Sequence, residues 1–187
     1  TETDGEESVR ATPIPPRRAD GFLLGASLES AQLAAQLDWN FVFAAHLNGD
    51  KQLLREVLTR WRELSRRDAI IAVQVIVAEE AAAAAALAKS VEAWGVELEN
   101  GQRVTVGSEA QAAAFARQAG SRPTRIARRE SAVLFGTPEQ VKAQLDALQS
   151  AWNIDEFIID TPISDGAARL NSLRLLARAH LSAEVQP

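Results

Sequence analysis

Phe22-Leu23-Leu24-Gly25-Ala26-Ser27-Leu28-Glu29-Ser30-Ala31-Gln32-Leu33-Ala34-Ala35-Gln36-Leu37 is the stretch on which the fold turns. A short apolar run stops at a glycine, two serines follow, and good helix formers continue. The pattern predicts strand, tight turn and helix. Phe41-Val42-Phe43-Ala44 is the next strand candidate. Asp50 is a plausible N-cap for a helix to about residue 64, with Leu53, Leu54, Val57, Leu58, Trp61 and Leu64 on one stripe. Ala69-Ile70-Ile71-Ala72-Val73-Gln74-Val75-Ile76-Val77 is the strongest strand. It is β-branched and apolar on both faces, as a parallel strand covered on both sides requires. A long helix is expected over about residues 79–93, where Ala81 to Ala86 read as a small-residue face packed closely on a neighbour rather than as low complexity.

Residues 95–107, with Gly95, Gly101 and Gly107, read as a loop, and 108–119 as a short helix. Val133-Leu134-Phe135 leads into Gly136-Thr137-Pro138-Glu139-Gln140, where Thr137 and Gln140 form a capping box and Pro138 takes the first helical position. Phe157-Ile158-Ile159 is the last strand, followed by a helix over about 165–181 bearing Leu170, Leu173, Leu176, Ala177 and His180. Four strands and about six helices in alternation imply an α/β fold of parallel β/α units with right-handed crossovers. Residues 1–20, with Pro13, Pro15 and Pro16, read as an extended arm or linker, and 184–187 as a tail.

Composition narrows the function classes. The net charge of −5 and pI near 5.2 argue against a general nucleic-acid binder. No apolar run is long enough to span a membrane. The acidic start, Thr1-Glu2-Thr3-Asp4-Gly5-Glu6-Glu7, lacks the core of a signal peptide. There is no cysteine, which removes disulfides and thiol chemistry and suits a reducing cytoplasm. His46 and His180 lie far apart without ligand spacing, so no metal site is expected.

The 24–30 turn is the most informative candidate site, because α/β folds bind ligands where parallel strands end. Gly25 allows close backbone approach, and the first N–H groups of the next helix lack internal partners and favour an anion. Ser27 and Ser30 add hydroxyls, so a phosphate cradle and a simple helix cap both fit the spacing. The same choice holds at Gly136-Thr137-Pro138-Glu139, where the complete capping pattern favours structure. His46 follows a strand and suits either a base at the mouth of a barrel or a structural role. Asp155-Glu156 stands where the last strand begins, the stability end of a barrel, whereas Asp160 and Thr161 stand at the ligand end. Arg117, Arg122, Arg125, Arg128 and Arg129 could meet a phosphate or an acidic partner, but without interleaved aromatics a solvated loop and helix face is the plainer reading.

Taken in order, these segments resemble the bacterial luciferase-like flavin-dependent monooxygenases. The carrying residues are Pro13-Ile14-Pro15-Pro16; Phe22-Leu23-Leu24-Gly25-Ala26-Ser27; Ser30-Ala31 with Leu33-Ala34-Ala35; Phe41-Val42-Phe43-Ala44-Ala45-His46; Val75-Ile76-Val77-Ala78-Glu79; Gly136 to Val141; and Asp155-Glu156 with Arg169-Leu170-Asn171-Ser172-Leu173-Arg174-Leu175-Leu176-Ala177. The resemblance covers residues 13–181 and only the second half of the family's TIM barrel, strands 5–8, so 21–183 is expected to be that C-terminal half. It implies FMN, or F420 in related members, with the flavin phosphate at Gly25, Ala26, Ser27, Leu28 and Ser30 and with His46 near the cofactor. It also implies oxygenation of an organic substrate by O2 and reduced flavin, the latter supplied by a reductase. Asp38-Trp39-Asn40 departs from the family's glycine-containing turn, and Glu79-Glu80 from its Asp-Thr pair. Four strands cannot close a barrel. A partner chain, a second copy or a further segment is therefore expected to supply the other half-barrel; a non-catalytic flavin-binding or scaffold protein is the alternative.

Overall fold

In a computed structural model, residues 16–17, 19–46, 50–129 and 131–184 are described. Most of the proposed arm and the last residues of the tail lie outside them. Five parallel strands form the main sheet: β1 (Phe22–Gly25), β2 (Asn40–Ala44), β3 (Ile70–Val77), β7 (Leu134–Gly136) and β8 (Phe157–Asp160). β1 pairs with β2 and β2 with β3; the first half of β3 pairs with β8 and its last residues with β7. The helices α1 (Leu28–Gln36), α2 (Lys51–Ser65), α5 (Pro138–Trp152) and α6 (Gly166–Glu184) pack on one side.

Strand alternation decides which side is core. Phe41, Phe43, Ile71, Val73 and Val75 turn toward the helices and bury against Leu54, Val57, Leu58 and Trp61 of α2, Ala31 and Ala34 of α1, and Val141 of α5. Phe41 and Trp61 pack in a tilted arrangement with ring centroids 5.6 Å apart. The other face carries Phe22, Leu24, Val42, Ile70, Ala72 and Ile158, which the register sets side by side. Val42, Ile70 and Ala72 are buried at its centre, yet Leu24 is 56% exposed, Phe22 51% and Ile158 44%. An apolar sheet face open at its margins is what an unclosed barrel interior must present.

The local signals work as their chemistry requires. Asp50 accepts from the N–H of Gln52 (2.8 Å) and Leu53 (3.2 Å). Thr137 and Gln140 form the reciprocal capping box of α5. Helices α2 and α5 end on left-handed residues, Arg66 (φ 60°) and Asn153 (φ 51°). Arg62 joins those two ends, donating at 2.7 Å to the carbonyls of both Trp152 and Asn153 while pairing with Asp68. Asp38, at φ 54°, occupies the left-handed turn position after α1, a conformation that glycine adopts without steric cost.

The segment after β3 differs from the reading of its sequence. Helix α3 spans Ala81–Lys89, shorter than expected, because Ser90 turns back and its hydroxyl donates to the Leu87 carbonyl at 2.6 Å. Residues 95–107 are no loop: β4 (Ala93–Leu98) and β5 (Arg103–Val106) form a hairpin, with Gly101 at φ 84° in its turn. After α4 (Glu109–Gln118), strand β6 (Pro123–Arg129) completes an antiparallel sheet of order β5-β4-β6. Val96, Leu98, Val104, Val106 and Ile126 alternate onto α4. Their period of two is obscured in sequence by glycines and by charged residues on the uncovered face. The described residues thus hold eight strands rather than four.

Candidate functional site

Because the main strands are parallel, the turns after β1, β2 and β8 all lie at one end of the sheet. The 25–30 turn is compact. The Ser27 N–H donates to Ser30 Oγ at 3.1 Å, and the Ser30 N–H donates to Ser27 Oγ at 3.2 Å. The Ser30 hydroxyl also donates to the Ser27 carbonyl at 2.8 Å. A Cβ on Gly25 would collide with the Ser30 side chain, so glycine is what lets strand and helix meet so closely. Both serines are thereby engaged in capping α1, the structural alternative. The N–H groups of Leu28 and Glu29, in the first turn, have no intrahelical partner by position. Glu29 already offers its own N–H an anion: that N–H, and then the Ser27 hydroxyl, hold its carboxyl below the ordinary 4.5. Glu139 stands likewise at the start of α5, lowered by its own N–H and by Thr137, whose hydroxyl donates to it at 2.9 Å.

At the same end of the sheet lies a cleft of about 380 Å3 between the strand ends and the small sheet. His46, Gln74, Pro162 and Ser164 line it from the main sheet, and Ala93, Thr105 and Gly107 from the small one. His46 Nδ1 lies 3.4 Å from the Ala72 carbonyl, a long contact that orients the ring and leaves Nε2 outside that bond. Gln74 donates to Asp160 Oδ2 at 2.9 Å, which leaves its amide oxygen as an acceptor. Gln74 was legible as the lone polar residue of an apolar strand, but its pairing with Asp160 needed the register. Asp160, the last residue of β8, does not line the cleft and meets it only through Gln74. Thr161 is buried and does not line it; its carbonyl accepts from Arg169 Nε at 3.0 Å.

Other sequence candidates separate. Ser172, 1% exposed, accepts the Val77 N–H at 2.8 Å, so the Arg169–Ser172 pattern ties α6 to β3 and the β8 turn. Arg125, Arg128 and Arg129 are strand residues of β6, and Arg117 is on α4, so the loop reading of this patch is corrected. Among the described residues no group of His, Asp and Glu could hold a metal ion, and no helix is long and apolar enough to cross a membrane.

No protein-family model matches the chain. It is 33% identical over 181 residues to an N-acetyl-S-alkylcysteine monooxygenase of Bacillus subtilis, covering 95% of this chain and 54% of that protein. It is 28% identical over 183 residues to a luciferase-like monooxygenase of Escherichia coli K12, covering 92% and 52%. The chain therefore spans about half the length of the curated relatives it matches. Among solved structures, apo-MsnO8 matches with a TM-score of 0.62 at 23% identity, over 98% of this chain and 56% of that one. The oxygenating constituent of 3,6-diketocamphane monooxygenase from Pseudomonas putida, solved with FMN, matches with a TM-score of 0.54 at 16% identity, over 84% and 46%. These structural likenesses establish the fold.

Proposed function

We propose a function for a chain that is a relative of the luciferase-like monooxygenases, matched along about half of their length: it is the phosphate-holding C-terminal half of a flavin-dependent monooxygenase barrel. The observation that carries this reading is the 25–30 turn, where a strand end, a glycine that no Cβ could replace and a helix N-terminus meet. The turn fits a phosphate: Gly25 and Ala26 give close approach, the N–H groups of Leu28 and Glu29 open the start of α1, and Ser27 and Ser30 shape the turn around them. Ser27 and Ser30 orient that turn through their mutual bonds. The exposed Glu29 carboxylate must rotate away for a phosphate to take its donors. FMN is the cofactor of this reading, with F420 the alternative in related members; reduced FMN, supplied by a separate reductase, would bring the chemistry that activates O2. His46 and Gln74 then orient the substrate, with His46 Nε2 and the Gln74 amide oxygen as the available polar atoms.

The open apolar sheet face supports a second element of the proposal. Phe22, Leu24 and Ile158 are the margins on which the other half-barrel seats, from a partner, a second copy or the rest of a longer chain. The cysteine-free composition suits work in the cytoplasm. One feature favours the alternative, a non-catalytic scaffold of the same descent: the exposed Glu29 carboxylate stands at the start of α1 and competes with a phosphate for the same N–H groups. Oxygen uptake separates the two. The natural protein, purified with whatever accompanies it, is expected to carry flavin absorbance and to consume O2 with reduced FMN. A colourless protein with no uptake above that of reduced FMN alone would refute the enzymatic reading.

A further inference from the structure

The cleft of about 380 Å3 is walled by groups whose hydrogen-bonding roles the fold has already assigned. His46 Nδ1 lies 3.4 Å from the Ala72 carbonyl, and a carbonyl can only accept. The neutral ring therefore carries its proton on Nδ1, which leaves Nε2 as a lone-pair acceptor. Gln74 is constrained in the same way. Its amide nitrogen donates to Asp160 Oδ2 at 2.9 Å, so the amide cannot flip without setting two oxygens face to face. The register fixes that pairing, because Gln74 and Asp160 stand opposite each other on β3 and β8. The Ser90 hydroxyl gives its proton to the Leu87 carbonyl at 2.6 Å, so its oxygen too can only accept. Backbone donors in the wall are committed as well. The Val91 N–H bonds the Ala88 carbonyl at 3.1 Å, and the Gly107 N–H bonds Gln111 Oε1 at 2.9 Å.

Charge points the same way. Among the described residues no lysine or arginine lines this cleft, and Glu92 is its one acid. The Glu92 carboxylate accepts from Trp94 Nε1 at 3.1 Å and has Arg128 at 3.7 Å, longer than the ~2.7–2.9 Å of a charge-assisted hydrogen bond. A carboxylate or phosphate entering here would meet an acid and fixed acceptors, with no cation in the wall. The hydroxyls of Ser131 and Ser164 can take either role and set no preference.

We propose that this cleft selects a ligand that presents an O–H or N–H and carries no anionic group, and that it discriminates against ethers and carboxylates of the same shape. Whichever of His46 Nε2 and the Gln74 oxygen the ligand reaches, the ligand must be the donor. Val91, Val106 and Pro162 supply apolar wall for the rest of it. That this ligand is the substrate of oxygenation rests on the monooxygenase reading; the preference for a donor does not.

The test is a titration of the full-length protein, with any partner that completes its barrel, using hexan-1-ol, its isomer 1-methoxypentane and hexanoate. The ring signals of His46 and the side-chain amide of Gln74 report binding. Hexan-1-ol is expected to move them and to bind about fivefold or more tightly than the ether, which lacks the donor. Hexanoate should leave them in place. Q74L removes one fixed acceptor and should cut the preference for alcohol over ether to about twofold or less. The tautomer needs neither variant nor ligand: the nitrogen shifts of the His46 ring should place the proton on Nδ1. A proton on Nε2, an ether that binds as well as the alcohol, hexanoate binding in the cleft, or an unchanged preference in Q74L overturns the proposal. FMN binding, measured separately, keeps the two readings apart. FMN binding without the alcohol preference sinks only this assignment; the preference without FMN binding leaves a donor-selective cleft and sinks the flavin reading.

Discussion

Replacing Ser172 by Ala removes one oxygen and tests how the closing helix is held. In the native protein Ser172 Oγ accepts the Val77 N–H at 2.8 Å, with the serine 1% exposed. Val77 is the last residue of β3, and its side chain is 1% exposed. Alanine fills nearly the same volume, so little cavity is created. The backbone donor, however, is left buried without its acceptor, which costs about 1–3 kcal/mol. For a chain of this size that converts to a fall in Tm of about 2–12 °C. Thermal and urea melts followed by circular dichroism would measure it, with an unchanged m-value marking a native-state effect. Ser90→Ala, whose hydroxyl bonds only the Leu87 carbonyl at an exposed helix end, is the control and should stay within about 0.5 kcal/mol. A Ser172→Ala protein within about 1 °C of wild type would mean that β3 ends without need of α6, and would refute this assignment of the Arg169–Ser172 pattern.

Asp38→Gly should raise stability by about 0.5–1 kcal/mol in a urea melt, because φ 54° strains an L-residue and the lost ion pair to Arg67 is highly exposed; destabilisation would show that the pair outweighs the strain. Arg62→Met should cost about 1–3 kcal/mol, since it leaves the Trp152 and Asn153 carbonyls without their shared donor, and a neutral result would contradict that clamp. Glu29 and Glu139 both have lowered carboxyl values, from their own N–H groups first and from Ser27 and Thr137 second. A lowered carboxyl stabilises the fold above the unfolded value and loses that contribution as pH falls through the folded one. Between about pH 6 and pH 3, therefore, Tm should fall less in the E29Q/E139Q protein than in wild type; parallel profiles would contradict the assignment. E29Q alone should also strengthen FMN binding in a fluorescence titration by removing the competing charge, and weaker binding would make Glu29 a ligand-orienting group instead.

The legible parts of the fold were those whose pattern is local. The Ser27, Asp50 and Thr137 caps and the double-faced apolar strand around Val73 could be read from neighbours in sequence. The antiparallel sheet could not. Its uncovered face mixes Gly95, Glu97, Arg103 and Arg125, so half of each strand reads as loop, and Gly95 has a reason only once Arg129 lies across it. The site divides in the same way. Gly25 and the serines announced a turn, whereas the cleft joining His46, Gln74 and Thr105 depends on contacts between segments far apart in sequence. Nothing in the sequence singles out Glu29; the geometry of the turn makes its carboxylate a competitor for its own helix N-terminus.

The most direct test of the flavin reading compares FMN with riboflavin, which differs by the phosphate alone. The full-length polypeptide, with any partner that completes its barrel, would be titrated with each while the amides of Ser27, Leu28, Glu29 and Ser30 are followed. FMN is expected to bind about tenfold or more tightly and to move those amides, while riboflavin leaves them in place. Equal affinities, or FMN shifts that spare residues 27–30, would contradict the assignment of this turn as the phosphate site.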